Sequence, residues 1–251
     1  MSEMITTHVS DGYFDGYLAI PKSGEGPSIL LIQEIFGVNS HIKKFADKLA
    51  DEGFVVLAPD LFWRLQPQAN FGYEGADKEK AFALMQKFDE QQGLQDLKAA
   101  SGVLRYHPAC TGRMASFGFC LGGKLAFRLA AHTNLNCAIS YYPGGIDAHL
   151  DEASSIKCKT LLHFGKEDQL IPESVREKVK DELQKYKNFT IYEYENVGHG
   201  FNCDERESYN QEAAELAYKR SLEVLKSELG FYKSFSRQKE APPLVSVIFC
   251  M

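Results

Sequence analysis

The 251-residue chain has no block of lysine and arginine, no Cys-x-x-Cys pair, and no apolar run near the roughly 20 residues that span a bilayer. Each absence closes off a class of function. A formal charge of -6 with both signs intermixed, and no basic block, argues against nucleic acid or an anionic membrane as partner. The opening Met1-Ser2-Glu3-Met4 lacks the basic start and apolar core of a secretory leader. Six cysteines, at positions 110, 120, 137, 158, 203 and 250, are scattered, which predicts reduced thiols rather than disulfides or a zinc site. The expectation is a cytoplasmic protein without metal or cofactor, monomeric or homodimeric.

What is present is an ordinary globular balance, 44 % hydrophobic and 25 % charged, in a length suited to one α/β domain. Ser28–Ile32 and Phe54–Ala58 are continuous apolar runs, as strands covered on both faces should be. Met114–Phe119, Cys137–Tyr142, Thr160–Phe164 and Phe189–Tyr194 continue the series. Between them lie helical spacings: Ile42, Phe45, Ala46, Leu49 and Ala50; Leu94, Leu97 and Leu104; Leu125, Ala126, Leu129 and Ala130. Tyr218, Leu222, Leu225 and Leu229 form a last amphipathic helix, with Gly230 as its stop. Ile5–Val9 and Phe14–Ile20 around Asp11-Gly12 predict a leading antiparallel hairpin. The alternation predicts a mainly parallel twisted sheet with helices on both faces. Residues 62–76 lack periodicity and are expected to form a loop over the strand ends. The domain is taken as residues 1–232. Residues 233–251 are an appendage for which three placements stand open: an added edge strand, a cover on a neighbouring subunit, or a loose tail.

The chemistry concentrates in Gly118-Phe119-Cys120-Leu121-Gly122-Gly123, where an apolar strand turns sharply into a helix. This is a nucleophile elbow with cysteine in the place more often held by serine. The glycines leave room for the turn, the helix N-terminus favours a thiolate at Cys120, and the Leu121 N–H is an oxyanion donor. Two plainer readings compete. A lone cysteine at a strand end is more often a small buried hydrophobe. Gly118 to Lys124 also fits Gly-x-x-x-x-Gly-Lys, but Leu125 stands where a phosphate loop needs Ser or Thr for Mg²⁺.

The partners decide between these readings. Asp168 follows the apolar strand Leu161–Phe164 in a Gly-x-x-Asp loop, and His199 lies between two glycines after the next strand. That is the chain order nucleophile, acid, base of an α/β-hydrolase fold. Asp168 would fix the imidazole tautomer, and His199 would take the thiol proton. A Gly-His-Gly histidine alone is more often a surface turn. His8, His41, His107, His132, His149 and His163 lack this setting, and Asp60 reads as structural.

These motifs, with Gln33-Glu34-Ile35-Phe36-Gly37-Val38-Asn39, resemble the dienelactone hydrolases (carboxymethylenebutenolidases) from about Ile5 to about Leu229. The resemblance implies that Glu34 lies beside the nucleophile and helps to activate it. It also implies that the Ile35 N–H joins that of Leu121 in the oxyanion hole. From the residues alone, Glu34 reads equally as a solvated loop carboxylate. In that family arginines hold a substrate carboxylate, and alignment puts Lys78 and Cys203 at their positions, with Phe82 replacing a tyrosine. Phe36 joins this substrate-binding set. Arg206 either substitutes, if its loop turns inward, or lies on the surface. The reading is a cysteine hydrolase of small esters or lactones. The alternative is a silent hydrolase fold serving as a small-ligand receptor or scaffold.

Overall fold

The computed structural model describes residues 2–230, so the proposed appendage lies outside the described residues. Eight strands form one sheet: β1 (Ser2–Val9), β2 (Gly12–Ala19), β3 (Gly26–Ile32), β4 (Val55–Pro59), β5 (Cys110–Phe119), β6 (Cys137–Tyr141), β7 (Lys159–Gly165) and β8 (Phe189–Tyr194). Their order is β1-β2-β4-β3-β5-β6-β7-β8; β2 runs antiparallel to both its neighbours, β1 and β4, and every other pairing is parallel. Six helices connect or close the sheet: α1 (Ser40–Asp51), α2 (Gly75–Lys87), α3 (Glu90–Arg105), α4 (Leu121–His132), α5 (Glu173–Leu183) and α6 (Gln211–Glu228). The α/β-hydrolase expectation is met, including the leading hairpin. No described helix is long and apolar enough to cross a membrane.

Side-chain alternation along the strands sorts the helices into two layers. On β5, Phe117 and Phe119 meet Phe45 of α1 at centroid distances of 5.1 and 4.9 Å, while Ser116, just before them and on the opposite face, donates to the Ala126 carbonyl of α4. On β6, Tyr141 reaches Ser221 of α6 and Ser140 donates to the Gly123 carbonyl of α4. One face therefore carries α1 and α6, and the other carries α4 with α3 packed against it.

Three details depart from the sequence reading. Strand β5 begins at Cys110, because its first residues pair with β3 although they carry no apolar pattern. The loop after β4 ends at Glu74, and Gly75-Ala76 already belong to α2. That helix left no periodic signal because it buries only Ala81. Asp60 is structural as expected, accepting from the Phe62 and Gln68 amides at 2.9 and 2.6 Å.

Beneath the sheet's far end, His163 is fully buried with both ring nitrogens engaged, Nδ1 with Tyr194 Oη at 2.9 Å and Nε2 with Ser221 Oγ at 3.0 Å. Ser221 also bonds Tyr141, so this neutral network clips α6 to three strands. Burial, helped by Arg220, lowers the His163 pKa to about 3. The unfolded chain takes up this proton near its ordinary value of about 6.5 while the native state does not, so acid favours unfolding between those two values. Urea titrations should show stability falling with pH below about 6.5, at up to ~1.4 kcal/mol per unit from this residue. His163→Gln should be less stable at neutral pH yet show a shallower acid slope; an unchanged slope would rule the residue out as its source.

Candidate active site

Every candidate catalytic residue lies at the carboxyl end of a parallel strand: Glu34 after β3, Cys120 after β5, Asp168 after β7 and His199 after β8. β3 and β5 are neighbours whose connections leave in opposite directions, which opens a crevice beyond their ends. The turn at Cys120 is tight. A Cβ on Gly118 would sit 2.0 Å from the Gly122 carbonyl oxygen, and one on Gly122 would sit 2.3 Å from that of Ile32. Cys120 is held at φ 53°, ψ -117°, a backbone strain that non-glycine residues rarely carry. Its N–H donates to the Tyr141 carbonyl at 3.0 Å, and its carbonyl accepts from Lys124 at 3.1 Å to start α4. Residues 118–124 are thus strand end, turn and helix packed on neighbouring backbone, which leaves no cradle for phosphate.

His199 Nδ1 lies 2.7 Å from Asp168 Oδ2, and the other oxygen of Asp168 accepts from the Leu170 N–H at 2.9 Å. The Asp168 carboxylate is wholly buried, so both its oxygens are fixed and the ring is oriented through Nδ1. Among the described residues Nε2 is buried without a hydrogen-bond partner. Burial opposes a charge on this ring, yet the neighbouring Cys120 charge, with Asp168 behind it, raises the pKa to about 10. Tyr142, buried and at φ 35°, lies edge-on to the imidazole at 5.0 Å between centroids. Its hydroxyl is also unpartnered.

Glu34 is 1 % exposed, which excludes the solvated-loop reading. Its Oε1 lies 3.4 Å from Arg206 Nη1, and Oε2 is buried without a partner. Arg206 turns inward, passing over the rings of Phe36 and Tyr73 and seating its guanidinium against Gly200, beside His199. Of the two alternatives for Arg206 the inward one is seen, while Cys203, at the aligned arginine position, does not take the substrate-binding place expected of it. Cys203 is fully buried and does not reach the cavity, whereas a turn through 203–206 delivers Arg206, three residues later, to the site.

A cavity of 410 Å³ collects most of the set: Ile35, Phe36, Lys78, Phe82, Cys120, Leu121, His199 and Arg206 all line it. The Leu121 N–H opens α4 and so has no partner one turn earlier, and neither it nor the Ile35 N–H enters a turn or loop hydrogen bond. A larger space of 530 Å³ beside α5 is a surface depression lined by charged side chains, with no convergent catalytic groups. Sequence reasoning missed Met85, Glu90, Lys124, Gly144, Gly145 and Leu170 on the cavity wall. Lys78, Phe82 and Met85 stand at i, i+4 and i+7, so extending α2 from Lys78 would have found Met85. Lys124 was visible in the elbow, but its ion pair with Glu90 joins residues remote in sequence.

Comparison with known proteins bears on the fold and family. Carboxymethylenebutenolidase 1 of Cupriavidus pinatubonensis is 33 % identical over 220 residues, covering 87 % of this chain and 94 % of its own length. A carboxymethylenebutenolidase of Pseudomonas putida is 32 % identical over 227 residues, covering 90 % and 96 %. Among solved structures, a Klebsiella pneumoniae protein assigned as a dienelactone hydrolase matches with TM-score 0.80 at 27 % identity, over 92 % of this chain and 99 % of that one. A dienelactone hydrolase-like promiscuous phosphotriesterase from metagenomic libraries matches with TM-score 0.77, over 92 % and 99 %, but at 20 % identity it bears on the fold alone. The model of the dienelactone hydrolase family matches residues 14–229, and the chain belongs to that family.

Proposed function

We propose that this chain hydrolyses small carboxylic esters or lactones through a thiol ester on Cys120. The observation that carries the proposal is the Asp168–His199 pair at 2.7 Å, with the free Nε2 in the same cavity as the Cys120 thiol. Sulfur attacks the carbonyl carbon, and the oxyanion is received by the Leu121 and Ile35 amides. The bond to the leaving oxygen breaks, and His199 gives that oxygen its proton. Water, deprotonated by His199, then attacks the thiol ester and expels the thiolate, which recovers its imidazolium partner. Glu34 contributes a buried carboxylate with one free oxygen beside this centre, and Arg206 holds the other.

The charge balance explains how one imidazole can serve both halves of the reaction. While Cys120 carries charge, His199 keeps its proton. Acylation neutralises the sulfur, and burial then favours the neutral ring that can activate water. In NMR titrations, alkylating Cys120 should lower the His199 pKa by several units from about 10. An unchanged value would show that Cys120 does not govern this base.

An activated ester should add one acyl group to the intact protein, on Cys120, ahead of the other five cysteines. A silent receptor would not acylate there. Cys120→Ala should abolish turnover with the fold intact, and His199→Ala or Asp168→Asn should lower kcat by about 10³ to 10⁴-fold. Losses below tenfold in both would reassign the base and its orienter.

Selectivity follows from the cavity walls. Phe82, Met85 and Leu170 present exposed apolar surface at its mouth, which favours an apolar group on the substrate. Lys78 is a point charge without a carboxylate-matching fork, and Arg206 is already engaged by Glu34. Matched esters with and without a carboxylate should therefore differ in kcat/KM by less than about a hundredfold, or ~2.7 kcal/mol. A larger preference, erased by Lys78→Ala, would mean that Lys78 and Arg206 together form a full anion site.

A further inference from the structure

The loop that delivers Arg206 also carries donor atoms that the proposed reaction does not use. One ligand-capable atom each from His41 near the start of α1, Cys203 and Asp204 lie within 4.8 Å of one another. His41 Nδ1 is 3.9 Å from Asp204 Oδ1. His41 is 4 % exposed and, among the described residues, its Nε2 is buried without a hydrogen-bond partner, while Nδ1 faces the Asp204 carboxylate. A buried imidazole nitrogen left without a partner is costly unless something binds it. Imidazole, thiolate and carboxylate together are a zinc-type donor set, and three protein ligands leave a fourth position for water.

We propose that His41, Cys203 and Asp204 bind one zinc ion at a site separate from the reaction centre. The ion enters on the Asp204 side, through a cavity of 140 Å³ that His41, Asn202, Asp204, Tyr209 and Glu215 help to line. Two lysines on that wall are already occupied: Lys44 pairs with Glu205 at 2.8 Å, and Lys48 lies 3.7 Å from the Tyr218 ring centroid. Binding is ligand exchange. Zn–N, Zn–S and Zn–O bonds replace waters of the hydrated ion, and the Cys203 proton passes to solvent. Because Cys203 and Asp204 lie between His199 and Arg206, the ion ties the loop that bears both to α1.

The test uses the full chain as Cys120→Ala, so that the reaction thiol captures no metal. Zinc chloride titrated in a calorimeter should bind at one equivalent and raise Tm, and cobalt(II) should give a thiolate charge-transfer band. Cys203→Ser should abolish the band and weaken zinc by about a hundredfold or more; Asp204→Asn, at an exposed side chain that folding tolerates, should weaken it by about tenfold. Absence of saturable binding, or binding that neither substitution weakens, would overturn the site. Zinc that binds the wild type but not Cys120→Ala would assign the metal to the reaction thiol and also overturn it. Should Cys203→Ser fail to fold, the cobalt band in Asp204→Asn decides. None of these readouts depends on turnover, so the zinc site and the thiol-ester mechanism stand or fall separately.

Discussion

The arrangement depends on one close approach, that of the β5–α4 turn against the end of β3. Backbone there comes so near that Gly122 faces the Ile32 and Gln33 carbonyls with no room for a side chain. The strained Cys120 sits at that contact, immediately before the first amide of α4. It also fixes how far the loop after β3, with Glu34 and Ile35, stands from the sulfur. The cost of one residue at positive φ, of order 1–3 kcal/mol, is offset by the buried β3–β5–β6 packing on either side. Strain and core are therefore parts of one construction.

Around that turn the interior is polar and incompletely paired. Among the described residues Glu34 Oε2, Tyr142 Oη and His199 Nε2 are buried without hydrogen-bond partners, and burial, then the charge of Glu34, hold the Tyr142 hydroxyl well above its ordinary pKa. Among the described residues His41 Nε2, Ser208 Oγ and Tyr218 Oη are likewise buried without partners, whereas both ring nitrogens of His163 are satisfied. Three of these six unpartnered atoms thus belong to the crevice, where hydrogen-bonding capacity is left unspent.

Most of the strands were legible because a sheet covered on both faces demands uninterrupted apolar runs, and Ile29–Ile32 or Val55–Ala58 can hardly be anything else. The elbow, acid and base were legible because each needs a fixed local context at a strand end. Arg206 was legible only as two alternatives, turned inward or on the surface, since its place depends on how the 200–210 loop folds back. The Glu90–Lys124 pair and the proximity of His41 to Cys203 are products of tertiary folding that no local pattern records. The burial of Glu34 depended in the same way on Arg206 arriving to accompany it.

Helix α2 supplies Lys78, Phe82 and Met85 to the cavity while committing only Ala81 to the interior. Most substitutions on it leave the core untouched, and surface changes of that kind typically alter stability by about 0.5 kcal/mol or less. The cavity wall that would select substrates under the proposed function is thus nearly uncoupled from the interior that keeps the protein folded. In evolutionary terms this is a neutral corridor along which a lineage can exchange one substrate for another without first acquiring compensating stability.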